Sequence, residues 1–120
     1  MRFDLGKAGL ETVLSPWQAE LMRFVWARGE ANSKDGWEHL QGTEHGMSRA
    51  SVIFFLNEMV DEGFFVFREE TGKGGYHRVY APVPGVPDEE AFKVALTERV
   101  QGKLRAEFPD AWAGLRGEGG

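Results

Sequence analysis

The 120-residue chain is 42% hydrophobic and 12% aromatic, which supports one packed domain and leaves too little length for two ordinary ones. The absence of cysteine excludes a disulfide framework and any thiolate metal site. A net charge of −5 argues against indiscriminate attraction to nucleic acid, and residues 15–81 share the bias, with seven Lys/Arg against ten Asp/Glu.

Residues 1–13 carry scattered apolar side chains (Phe3, Leu5, Leu10, Val13) and read as an arm before the first helix. Ser15 suits the N-cap of that helix, Pro16 its first helical position and Gln18 the capping-box partner. Trp17, Leu21, Met22, Val25 and Trp26 give it a broad apolar face, and Gly29 ends it. Glu30-Ala31-Asn32 reads as an extended link, followed by Ser33 as the cap of a shorter helix reaching Gln41, with Trp37 and Leu40 on a shared buried face.

After a turn over residues 42–47, Ser48 caps a third helix that runs from residue 49 to 62 and stops at Gly63, a residue suited to the left-handed C′ position. Val52, Phe55, Leu56, Met59 and Val60 follow the helical period and should face the core, whereas Arg49, Ala50, Ile53, Asn57 and Glu58 lie away from them. Residues 64–70 are aromatic and β-branched in the manner of a strand, Thr71-Gly72-Lys73-Gly74-Gly75 is a flexible tip, and residues 76–81 return as a second strand. Pro82, Pro84 and Pro87 punctuate a linker, and a last helix starts near Asp88, with acidic residues at its positive end. Three helices followed by a glycine-tipped hairpin, with a capped third helix exposed, is the order of a winged helix-turn-helix domain. The expected class is α+β, mainly α with a small antiparallel sheet. The expected division is an arm over 1–13, a winged-helix unit over 14–83, a C-terminal dimerisation helix over 84–113 and a flexible tail over 114–120.

The segment Leu14-Ser-Pro-Trp-Gln-Ala-Glu-Leu-Met-Arg-Phe-Val-Trp26 resembles the opening helix of the penicillinase-repressor family. Val52, the run Leu56-Asn57-Glu58-Met59 and the exit Gly63-Phe64 resemble that family's recognition helix, and Tyr80-Ala81-Pro82 resembles the end of its wing. The resemblance covers roughly residues 10–105. It implies a homodimeric transcriptional repressor that binds a palindromic operator in double-stranded DNA through the winged helix and pairs through the C-terminal helix. It also implies that Arg49, Ala50, Ile53, Phe54 and Asn57 face the operator. Two positions depart from the family's pattern: Phe54 stands where a small hydroxyl residue is common, and Glu58 where a basic one is common. Glu58, Asp61 and Glu62 make the second half of the helix acidic, so either its first half alone enters the groove or DNA binding has weakened or gone.

The candidate DNA-binding residues each have a plainer alternative. Ser48, Arg49 and Ser51 open the third helix, where helix amides can meet a phosphate and Arg49 can reach guanine or the backbone; otherwise Ser48 only caps and Arg49 is a solvated charge. Asn57 contacts DNA or hydrogen-bonds within the domain. Arg68, Lys73, His77 and Arg78 gather cations near the glycine-rich tip, diluted by Glu69 and Glu70. Ile53 and Phe54 touch thymine methyls, pack on the arm or bind a protein, with burial the expected outcome for Phe54. Phe92, Leu96, Val100 and Leu104 recur every fourth residue and, extended by Phe108 and Trp112, form a stripe expected at a dimer interface. The competing function is a winged-helix protein-interaction module without DNA binding. No nucleophile motif, phosphate loop or dinucleotide fingerprint is present, and His39, His45 and His77 are too scattered for a metal site, so no enzyme activity and no cofactor are expected. No apolar run approaches the ~18 residues of a membrane span, and the first residues lack a signal-peptide core, so the expected location is cytoplasmic with no membrane partner.

Overall fold

A computed structural model describes residues 1–118, with side chains through residue 115. The first helix, α1 (Pro16–Arg28), starts at a proline with no N–H to satisfy, and Gln18 Oε1 accepts the Ser15 N–H at 2.9 Å. It ends at Gly29, whose φ of 87° lies in the left-handed region. Then come β1 (Ala31–Asn32) and α2 (Ser33–Gln41). The cap of α2 is Asn32, not the expected Ser33. Asn32 Oδ1 accepts the Asp35 N–H at 2.7 Å, and Asp35 Oδ2 accepts the Asn32 N–H at 3.2 Å. This reciprocal pair satisfies two orphan donors where a lone hydroxyl would satisfy one.

The third helix, α3 (Arg49–Asp61), opens with Ser48 Oγ accepting the Ser51 N–H at 3.1 Å. Its exit is a Schellman turn. Gly63 has a φ of 86°, its N–H donates to Val60 O at 3.0 Å, and the Phe64 N–H donates to Met59 O at 2.9 Å. That turn drops Phe64 into the core and starts β2 (Phe65–Gly72), which pairs antiparallel with β3 (Gly75–Pro82). The segment expected as a link supplies a third strand, since Ala31 pairs with Tyr80 and the sheet order is β1-β3-β2. The tip is tighter than the expected flexible loop. Gly72 pairs with Gly75, leaving a two-residue turn of Lys73 and Gly74 in which Gly74 supplies the positive φ, 92°.

The core lies between α1, α2, α3 and the sheet, and it includes Leu10 from a 3-10 turn (Gly9–Thr12) and Val13, so the arm is docked. The proline segment is also packed: the Val83 N–H donates to Phe64 O at 3.1 Å and Val86 is buried. It returns the fourth helix, α4 (Glu89–Glu107), to its own domain. Phe92 is 0% exposed, its ring 4.7 Å from Phe64 and 5.6 Å from Trp26. The expectation that Phe92 belongs to a dimer interface is therefore corrected: it is a core residue, because the prolines shape a fold-back and not a free linker. Arg23 Nε bonds Glu89 at 2.9 Å, and Arg99 donates to Glu62 Oε2 at 2.8 Å and to Glu62 O at 2.7 Å, at the negative end of α3.

The single expected C-terminal helix is two. Pro109 disfavours helical backbone at Phe108, which has φ −131° and ψ 59°, and itself starts α5 (Pro109–Glu118). This helix occupies most of the segment expected as a flexible tail; Gly119 and Gly120 lie outside the described residues. Residues 101–111 are all exposed, so the end of α4 and the start of α5 project from the domain. The radius of gyration, 17.0 Å, exceeds the about 13.6 Å of a compact chain of this length. Truncation of the buried ring, Phe92→Ala, should lower the unfolding free energy in a urea titration by about 3–5 kcal/mol. Light scattering at concentrations where the variant stays folded should report an unchanged oligomeric state.

Candidate nucleic-acid interface

The first turn of α3 is tied to the first turn of α2. Arg49 Nη2 lies 3.4 Å from Ser33 Oγ and its guanidinium 5.8 Å from the Trp37 ring centre, yet Arg49 remains exposed. Ser48 Oγ and Ser51 Oγ are 3.0 Å apart beside it. Ala50, Ile53, Phe54 and Asn57 stand at i, i+3, i+4 and i+7 and line one shallow depression with Glu58 and Asp61. The expected burial of Phe54 is corrected, for it is 74% exposed. Its neighbour Phe55 fills the inward position, edge-on to Trp17 at 5.5 Å, and a helical step of about 100° then turns Phe54 outward. Glu58 Oε2 accepts from the Met1 ammonium at 3.4 Å.

Hairpin register divides the cations that the sequence groups together. Cross-strand partners share a face, so Arg78 with Glu69 and Tyr80 with Phe67 lie on one side, and Arg68 with Val79 and His77 with Glu70 on the other. The first side meets α3, where Asn57 bonds Arg78 and Tyr80. On the other, Arg68 bonds Glu30 and Glu70, the latter from Nε at 2.9 Å. Bonding to Arg68 holds the Glu30 carboxyl below the usual carboxylate range, and both acids hold the Arg68 guanidinium above its own. Its charge is locally matched. Lys73 is exposed at the apex.

Where wing and helix meet, Asn57 Oδ1 accepts from Arg78 Nη1 at 2.9 Å and from Tyr80 Oη at 2.6 Å. The Arg78 guanidinium lies 4.0 Å from the Phe67 ring centre. Burial pushes the Tyr80 phenol up, against the pull of Arg78, so it stays protonated as a donor at neutral pH. Thus Ser48, Arg49, Ala50, Ile53, Phe54 and Asn57 come together on the outer side of α3, Arg78 joins them through Asn57, and Arg68 is separated. Ser33, Trp37, Phe67, Tyr80 and Glu30 are the participants the sequence reading missed. Strand alternation between Arg68 and Phe67 was a usable signal for the split; nothing local marks Glu30 as the partner of Arg68. Acid should release the Glu30–Arg68 pair. Because the folded pKa of Glu30 is depressed, the pair contributes above the ordinary carboxylate value of 4.5 and is lost as pH falls through the folded one. Carbon-detected NMR should place the Glu30 midpoint below 4.5, and Arg68→Gln should move it upward.

Among the described residues no group of His, Asp or Glu is arranged to hold a metal, and no helix is long and apolar enough to cross a membrane. Comparison with solved structures finds PadR of Bacillus subtilis, in a complex with operator DNA, at a TM-score of 0.51 and 19% identity over 66% of this chain. The match spans 46% of the PadR chain, less than half its length. A protein described as a transcriptional regulator, TA0346 of Thermoplasma acidophilum, superposes with a TM-score of 0.49 and 12% identity over 74% of this chain and 93% of its own. The PadR likeness is one of fold. No curated protein matches the sequence. The sequence profile of the penicillinase repressor family matches residues 14–113, nearly the whole of the folded chain, and the protein belongs to that family.

Proposed function

We propose that this chain is a DNA-binding transcriptional regulator that acts as a homodimer, each protomer laying α3 in a major groove of a palindromic operator and thereby repressing transcription. The observation that carries the reading is the exposed first half of α3, where Ser48, Arg49, Ala50, Ile53 and Phe54 stand free of the core. An N-terminal helix end offers amides and positive potential to a phosphate, and a neighbouring guanidinium suits a guanine edge or a second phosphate. The acidic second half, with Glu58 and Asp61, disfavours deep entry there, so the helix docks by its N-terminal turns.

Pairing is supported by the projecting arm. Leu104, Phe108 (60% exposed) and Leu115 lie beyond the domain's own core, and Leu96 and Val100 continue the row inward. A second copy covers such a surface economically, since each large apolar side chain fully buried contributes about 1.5–3 kcal/mol. Two-fold symmetry then sets half-sites about one helical turn apart. A cytoplasmic location with access to DNA follows from the same reading.

Binding-site selection with purified protein, followed by gel shifts at two salt concentrations, tests this directly. Enrichment of a palindrome is expected; equal retention of all fragments would sink the reading. Arg49→Ala should cost the selected site about 1–3 kcal/mol and relax one base position. Lys73→Ala should weaken all sequences alike and reduce the salt slope by about 1. The second reading, a protein-interaction module, is favoured by the exposed Phe54 beside Glu58 and Asp61. It predicts no selection at all.

A further inference from the structure

We propose that the groove between the N-terminal arm and α4 seats the α4–α5 elbow of a second copy of this chain. The inference rests on the homodimer reading above and adds the arm to the paired surface. The groove has a volume of about 270 Å³, room for one or two large side chains. Leu10, Val13 and the buried Phe92 ring form its floor, and Phe3, Leu96 and Val100 stand along its sides. Phe3 is 56% exposed there, a large ring left in water by its own domain. No acidic residue lines the groove, and its one charged residue, Lys93, is already paired with Glu89 at 3.2 Å. The seat suits an apolar occupant.

The same chain carries a matching apolar projection. Phe108 at the elbow is 60% exposed, and Leu104, one turn earlier, is exposed as well. This projection cannot fill its own groove. α4 is one continuous helix from Glu89 to Glu107, which holds Phe108 about 16 Å along the axis from Thr97 in the groove wall. Groove and projection lie on one row, Leu96, Val100, Leu104 and Phe108, at four-residue intervals. Two antiparallel copies of that row, related by a two-fold axis at the level of Gly102, bring each elbow to the other's groove. The exchange is self-complementary, so one contact made twice covers both features on both copies. The family match begins at residue 14, so the arm's wall of the groove lies outside it. This pairing uses a surface that the family likeness does not supply.

The chain has no cysteine, so introduced thiols are unique reporters. One preparation carries Thr12→Cys in the groove, and a second, tagged one carries Ala111→Cys, one turn past Phe108 on the exposed elbow. The two are mixed at concentrations where the wild-type chain is a dimer and treated with a short bismaleimide. A product joining one tagged and one untagged chain is expected, with peptide mapping placing the link between positions 12 and 111. Phe3→Ala, followed by sedimentation, should raise the dimer dissociation constant about tenfold or more, because each dimer loses two buried rings. Since Phe3 is exposed in the single chain, the variant's urea unfolding as a monomer should be unchanged. If the wild-type chain is dimeric and the link is missing, the inference is overturned and pairing through the α4 row stands. An unchanged dissociation constant for Phe3→Ala has the same meaning. A groove left open, or taken by a small apolar ligand, gives those two results. A chain that stays monomeric in solution and on its selected DNA overturns both readings.

Discussion

Beside the core packing of Phe65 and Tyr80 and the pairing of β1 with β3, two constraints set the angle between α3 and the hairpin. One is in the backbone: Gly63 takes a φ of 86°, so the chain reverses within a single Schellman turn and Phe64 enters the core. The other is between side chains, where Asn57 gathers Arg78 and Tyr80 from β3. A hairpin attached by the turn alone would pivot about it. Three polar groups and the Phe67 ring beneath Arg78 remove that freedom. The cost is that Asn57 and Arg78, both attractive as DNA contacts in the sequence, are partly committed to holding the domain together.

A second set of contacts decides what the C-terminal helix does. Trp26, Phe64 and Phe92 form an aromatic group joining α1, the α3 exit and α4, and Arg99 lies 4.5 Å from the Phe64 ring centre while bonding Glu62. The first half of α4 is therefore part of the domain, and the second half projects from it.

Much of this was legible in the sequence where one strong local preference dominates. Ser48, Gly29 and Gly63 mark helix ends through chemistry that acts within four residues, and the inward stripe of α3 follows from its period alone. The errors share a physical cause: each needed a long-range partner or a competing local one. Phe92 continues an apolar repeat, and only the path of the proline segment shows that its first member turns inward. Asn32 outcompetes Ser33 because Asp35 can reciprocate. Pro109 is a local break set within an apolar repeat that by itself favours one continuous helix. At the site, Arg68 and Arg78 looked alike until the register put them on opposite faces.

The matched charges around Arg68 have a kinetic meaning on the proposed reading. Attraction to phosphate that ignores sequence comes from unpaired cations, and one face of this hairpin has its arginine already satisfied by Glu30 and Glu70. On that reading, this face of the hairpin adds little to the protein's hold on the great excess of irrelevant DNA. Occupancy of a target is then won by the fit of α3 to a short run of bases, at the expense of a looser hold everywhere else.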